Sequence, residues 1–493
     1  MSLTIWSWVF FTLYVLGMCA LGMYGARKIK DADDYAVARQ SYGPLPLGLA
    51  FAATGASGAT FLGMPGLAYS SGISVLLYAF CYPLGMYIGV LICLKVVSES
   101  GNGFGSRSIP EYLGDRYRSE RIRIIAALMS LILFFYLAGQ LVAGLVIFKT
   151  MLGLSEGPAL ILTTLTLLTY VTLGGAHADI LTDAFQGAVM LLISIGVIIM
   201  FVTGFGIEGG FMGMFERLRT LDPNTVRWLH PTSQIVGSPW AIVAIVIAHI
   251  PLGMLPHIGN KLWALKAGAP RHQFLLIAFV SSLLLPALSL GGLLARAHLG
   301  DDLLGGGANQ AIPAMFITLF PAWLAALLGV SVLCAVMSTA DGLVVSSAQV
   351  IANDLYRRTF AKRWAPELSD EQLDQRVLQI SRWATGGVLL ASALAAWALL
   401  EVNIALIVWM GIGGMTSAMA GPLIIGSLWP HVSERAALSG MLTGFLTFAL
   451  LHTHSIPISW LQSQGSNPFA CAAMASILGV FVTVMGSLPS PKK

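Results

Sequence analysis

The segment from Ala52 to Gly66 constrains this chain more than any other. It lies inside an apolar run long enough to cross a membrane, yet it carries Gly55, Ser57, Gly58, Thr60, Gly63 and Pro65. Proline gives no backbone donor and disfavours the helical conformation in the residue before it. A helix broken in a membrane frees backbone groups that no water can satisfy, so such breaks persist only where they are buried in protein or line a cavity. The pattern therefore points to a transporter, with small-residue packing between helices as the alternative.

Composition supports this reading. Of 493 residues 56% are apolar and only 10% charged, whereas soluble domains carry about 25% charged residues. A soluble enzyme is excluded on that ground. Cys19, Cys81, Cys93, Cys334 and Cys471 all fall in apolar segments without CxxC spacing, so no disulfide or metal framework is implied. Residues 2–24 lack a basic leader and are too long for a signal peptide, so they read as a retained first span.

Apolar runs of about 20 residues mark thirteen expected spans, near 4–26, 44–72, 75–97, 121–152, 157–174, 180–205, 238–257, 273–299, 320–350, 381–400, 404–427, 434–453 and 466–487. With the N-terminus outside, the loops at 27–43, 98–123, 258–272, 351–382 and 428–435 become cytoplasmic, as does the tail at Lys492 and Lys493. Together with Lys95 they hold all the Lys and Arg except Lys149, Arg217, Arg219, Arg227 and Arg296. That asymmetry satisfies the positive-inside rule, and the net charge of +4 calls for no nucleic acid. Residues 108–123 read as a basic amphipathic stretch on the inner face, and residues 206–223 as an outer cap.

Five spans after the first broken segment, His249, Pro251, Gly253, Pro256 and His257 interrupt the span at 238–257. Interrupted spans at corresponding positions of two units are a sequence pointer to a transport site. The expected organisation is an N-terminal extra span and loop over 1–43 and a first inverted repeat over 44–205. An extracellular loop over 206–237, a second repeat over 238–427 and two C-terminal extra spans over 428–493 follow. The fold class is an all-α integral membrane protein with a five-plus-five inverted-repeat, LeuT-like core.

The polar residues inside the spans are the candidate site. Ser338 and Asp341 are three residues apart on one helix face, with Thr339 adjacent. Hydroxyl oxygens and freed carbonyls are hard ligands suited to a small alkali cation. An intramembrane Asp costs about 2.5–3.5 kcal/mol on insertion scales and so faces a cavity or a partner. Asp179 and Thr182 read as helix-capping residues, while Asp183, deeper, is placed on an ion path. Tyr136 and Gln140, four apart, are candidates for the cavity wall, and with them Gly55 and Ser57. His249 reads either as a satisfied interior histidine or, beside Pro251, as a cavity residue.

The runs Ala53 to Gly66, Gly174-Gly175 through Asp183 and Gln186-Gly187, Ala335 to Thr339, and Asp354-Leu355-Tyr356 occur in this order along the chain. In that combination the chain resembles the sodium:solute symporter family, which holds the bacterial proline and pantothenate permeases and the sodium–glucose cotransporters. Pro256-His257 gives it the flavour of the pantothenate and proline branch. The resemblance implies alternating access driven by Na+, and a sodium site built from the backbone oxygens of Ala53, Ala56 and Ala335 and the hydroxyls of Ser338 and Thr339. It also implies Asp183 on the ion's inward route and Tyr136 beside the substrate. Proline permeases carry an aspartate where this chain has Gly55, which removes a charge that Asp341 is expected to supply.

The expected function is sodium-coupled symport of a small organic solute, such as pantothenate or a monocarboxylate, in a bacterial inner membrane, and a single chain suffices for it. Proton coupling through Asp341 and Asp183 is the alternative on the same fold. A solute sensor ranks lower because the chain ends at Lys493, directly after the last span. No nucleophile–base pair or metal cluster marks an enzyme.

Overall fold

A computed structural model describes residues 1–30, 32–233, 235–364 and 367–488; Lys492 and Lys493, which the orientation argument places inside, lie outside the described residues. All the named elements are helical. We label the principal ones α1 (Leu3–Ala26), α2 (Ala32–Val37), α3 (Pro44–Gly55), α4 (Met64–Ser71), α5 (Val75–Phe104), α6 (Ile109–Tyr117), α7 (Glu120–Leu152) and α8 (Glu156–Thr203). The second half contains α9 (Pro239–His249), α10 (Pro256–Ala264), α11 (Arg271–Leu299), α12 (Ala322–Phe360), α13 (Asp370–Ala398), α14 (Ile404–Leu428), α15 (Glu434–His452) and α16 (Pro468–Ser487).

The expected segments fall largely within helices, those at 157–174 and 180–205 inside a single run and those at 44–72 and 238–257 interrupted. By length and apolarity alone, eight helices among the described residues qualify to cross a membrane, or nine if one bent pair counts as a single span. Part of the shortfall comes from broken spans, which divide into pieces too short to pass singly, such as Pro44–Gly55, and part from α13 and α15, which are long enough but not apolar enough to qualify. Leu16, Leu91, Ile161, Leu192, Ile199 and Leu394 are exposed around the bundle, which lipid tolerates and water does not. Buried Thr163, Thr166 and Thr182 and half-buried Thr150 satisfy their hydroxyls on carbonyls one turn back, the internal pairing that an apolar solvent demands.

Two elements differ from the sequence reading. Residues 156–203 form one helical run in which only Gly175 leaves the helical conformation, at φ 53° and ψ −152°. A Cβ there would lie 2.5 Å from the Tyr35 carbonyl oxygen, so both the backbone and the space require glycine. The loop expected at 258–272 is not all loop: α10 runs into it, and Asn260, Lys261 and Trp263 are buried. Lys261 therefore drops out of the solvated cytoplasmic charges. The two amphipathic stretches contain helices, α6 in the first and Gly210–Leu221 in the second.

α5 packs on α9 through Gly85 and Gly89, four residues apart, where Cβ atoms would approach the carbonyl oxygens of Val246 and Ile250 to 2.3 and 1.7 Å. Such close backbone contact is what small residues provide between membrane helices. Gly89→Ala is expected to cost about 1–3 kcal/mol by overpacking, read as a fall in the unfolding temperature of the purified protein. Gly386→Ala on α13, with nothing within 4 Å, is expected to stabilise by up to about 1 kcal/mol through helix propensity.

Candidate ion and solute site

α3 ends at Gly55 because Ala56 turns to φ −101° and ψ 90°. The chain re-enters helical geometry at Gly58 (φ −53°, ψ −29°). The N–H of Gly58, which in a continuous helix would bond the Thr54 carbonyl, instead donates to Gln140 Oε1 of α7 at 2.9 Å. The Thr54 carbonyl is taken by the Thr339 hydroxyl of α12 at 3.0 Å. Ser338 Oγ donates to the Ala53 carbonyl at 3.2 Å and lies 3.4 Å from the Ala335 carbonyl. Four of the five residues expected to hold sodium are thus linked to the break: Ala53, Ala335 and Ser338 directly, and Thr339 through the neighbouring carbonyl. Ala56 stands at the turn itself, and all five are buried.

Below this junction lies a charge cluster. Thr54 Oγ1 donates to Asp183 Oδ2 at 2.7 Å. Lys261 Nζ of α10 lies 2.6 Å from Asp183 Oδ2 and 2.7 Å from Asp179 Oδ2, with all three side chains buried. Sequence reasoning missed Lys261 and gave Asp179 a capping role. The only signal was a lysine four residues after His257, which reads as the start of a basic loop. Buried charges persist when paired, and here α8 supplies both carboxylates, four residues apart on one face.

The side of the junction facing the solute candidates is neutral. The Tyr136 ring meets that of His257 edge-on, with centroids 5.3 Å apart. Gln140 Nε2 and both His257 ring nitrogens have no hydrogen-bond partner among the described residues. His257 is therefore a second residue that the sequence reading left unassigned. Gly55 faces Met86, whose Cε would lie 3.4 Å from an added Cβ. His249 sits elsewhere, its Nδ1 on the Ile245 carbonyl and its ring among Tyr78, Tyr82, Trp409 and Phe469. The second break falls between these histidines, at extended Leu255 (φ −66°, ψ 152°), and bends the span by 51°.

Asp341 is buried on α12 one turn beyond Ser338. Tyr14 of α1, which accepts from Gln186 Nε2 at 2.7 Å, lies in electrostatic reach of both Asp341 and Asp183. The Asn353-Asp354 pair has a structural role: Asp354 Oδ2 accepts from Ser108 at 2.7 Å, Asn353 donates to Glu111 at 3.0 Å, and Arg358 pairs with Glu111. These contacts staple the end of α12 to α6. Burial raises the carboxyl pKa of Asp115 beside this staple, and the nearby Arg358 offsets only part of the rise.

A sequence model of the sodium:solute symporter family matches residues 35–444. The chain belongs to the sodium:solute symporter family. It is 25% identical to the sodium/pantothenate symporter of Haemophilus influenzae over 452 residues, covering 90% of this chain and 89% of that one. It is 29% identical to the sodium/proline symporter of Escherichia coli over 464 residues, covering 89% and 86%. Its fold is that of a solved Na+-coupled sialic acid symporter, at a TM-score of 0.74, 20% identity and coverage of 98% and 97%. This symporter is thus a multi-pass membrane protein that couples solute movement to Na+, and not an enzyme.

Lys261→Met would leave two buried carboxylates uncompensated and is expected to destabilise the symporter by about 3–5 kcal/mol. Asp179→Asn, which leaves a one-to-one pair, should cost much less. Unfolding temperatures of the two purified variants check the order.

Proposed function

We propose that this symporter binds its sodium ion where the broken α3 meets α12, and its solute in the adjoining neutral cavity. The observation that carries the reading is the cross-helix pairing of the Ser338 and Thr339 hydroxyls with the Ala53 and Thr54 carbonyls. Oxygens 3.0–3.4 Å apart on two helices are a donor set for a small hard cation once the hydroxyls rotate their lone pairs inward. The ligands are the carbonyls of Ala53, Ala56 and Ala335 and the hydroxyls of Ser338 and Thr339. Asp183, hydrogen-bonded to Thr54 next to these carbonyls, stands on the ion's inward route. Asp341 supplies the negative charge that Gly55 does not.

The cavity is bounded by Gly55, Ser57, Tyr136, Gln140 and His257, with His249 behind the aromatic wall. Its unpartnered groups include the Gln140 amide N–H and the His257 ring nitrogens, which suit a solute bearing acceptors. A small carboxylate held by neutral donors is the class we assign. Relatives named for pantothenate and proline support that size and chemistry. The two breaks support a five-plus-five inverted repeat over 44–205 and 238–427, working by alternating access between rocking halves. Charge asymmetry supports an inner-membrane protein with the N-terminus outside and the C-terminus in the cytoplasm.

The test is a stabilisation screen on the purified symporter, with small carboxylates in sodium or in potassium. A true solute should raise the unfolding temperature only with sodium, through mass action. Ser338→Ala is expected to weaken sodium by ~10–100-fold, the loss of one buried oxygen ligand at about 1.5–3 kcal/mol. Asp341→Asn should likewise raise the sodium concentration that half-saturates uptake; an unchanged sodium dependence would remove Asp341 from the scheme.

A further inference from the structure

Under the carboxylate cluster, between α2, α8, α10 and α12, lies a cavity of about 20 Å³. Its polar lining is Asp179, His257, Asn260, Lys261, Ser346 and Gln349. That space holds one water or one small ion and no organic solute. Asp179 Oδ1, Asn260 Oδ1 and both ring nitrogens of His257 have no hydrogen-bond partner among the described residues, and the three side chains are more than nine-tenths buried.

The amide orientations are fixed by a relay. Gln349 Nε2 donates to the Ala36 carbonyl at 2.6 Å, which turns its Oε1 toward Asn260. Asn260 Nδ2 donates to that oxygen at 3.4 Å, so the Asn260 carbonyl oxygen is left over as an acceptor. Ser346 Oγ spends its proton on the Leu343 carbonyl at 3.2 Å and keeps its lone pairs. The unpaired lining is therefore rich in oxygen acceptors, as a hard cation requires. Charge points the same way. Asp179 and Asp183 share the single Lys261 ammonium, which leaves one negative charge in excess in a buried site, and an uncompensated buried charge is strongly unfavourable.

We propose that this cavity is a transit site for one monovalent cation, one helical turn cytoplasmic of Asp183, with Asp179, Asn260 and Ser346 as its oxygen ligands. Lys261 holds the other oxygen of Asp179 and so keeps the site from becoming a deep trap. The proposal rests on the ion route proposed above, with sodium leaving the hydroxyl junction past Asp183.

The experiment is equilibrium binding of 22Na+ to the purified full chain without solute, alongside sodium-driven uptake in proteoliposomes. Asp179→Asn and Asn260→Ala are each expected to bind about one sodium fewer per chain, since each removes a ligand of a site that needs its charge neutralised. Net uptake should fall ~10-fold while the sodium dependence of solute binding moves less than ~2-fold. Asp179→Asn retains a neutral Lys261–Asp183 pair, and Asn260→Ala changes no charge, so the second serves should the first fail to fold. Wild-type sodium stoichiometry in both variants would overturn the proposal and leave the cavity to water or a proton. Ser338→Ala separates the two readings: if it leaves sodium-dependent solute binding intact, the junction site fails whatever the cavity variants show.

Discussion

The structure depends on one accounting problem, the backbone groups freed where α3 breaks inside a medium that offers no water. An unsatisfied N–H or carbonyl there costs several kcal/mol, so each must find a partner on another helix. The Gly58 N–H finds Gln140 on α7, and the Thr54 and Ala53 carbonyls find Thr339 and Ser338 on α12. Three helices distant in sequence are thereby pinned to one point.

The same logic explains the charge cluster. Thr54 faces two ways, its carbonyl to Thr339 and its hydroxyl to Asp183. One residue thus joins the broken helix to the carboxylates of α8 and, through Lys261, to α10 beyond the second break. The side chains that link the two breaks are all buried. α2 is held by the Gln349 amide on the Ala36 carbonyl, and the residues after it pair with α10 through Tyr42 and Ala264. The same half-helix that carries Lys261 therefore also anchors the segment between α2 and α3.

Much of this was legible in the sequence, and the boundary is physical. Low charge and apolar periodicity declare the membrane. Pro65 and the glycines mark the first break, and Pro251 with Pro256 the second, because these residues act through local backbone rules. Ser338 and Thr339 stand out because hydroxyls in an apolar helix need a reason. Lys261 and Asn260 did not stand out, and His257 stood out only as part of the break, with no role in the site. Their meaning lies in partners at positions 179, 183, 349 and 136, and a lysine a few residues past a histidine looks like any positive-inside loop. Long-range pairing of single polar residues leaves no periodic trace.

Reversibility of the sodium site proposed above follows from the kind of partners chosen. If the Ala53 carbonyl met only an ion, and the Ser338 and Thr339 hydroxyls had no other acceptor, the ion's departure would orphan them and the site would hold sodium too tightly to turn over. Here the two hydroxyls close on the Ala53 and Thr54 carbonyls at 3.2 and 3.0 Å, and a neutral hydrogen bond is worth only about 0.5–1.5 kcal/mol net. The ion has to displace two such bonds, a modest cost, and leaves behind a satisfied backbone. A hydroxyl can make both arrangements by rotating about one bond, since it carries a donor and two lone pairs. A carboxamide needs a half-turn of the whole group, and a carboxylate offers no proton. Serine and threonine suit a site that must be complete both with and without its cation.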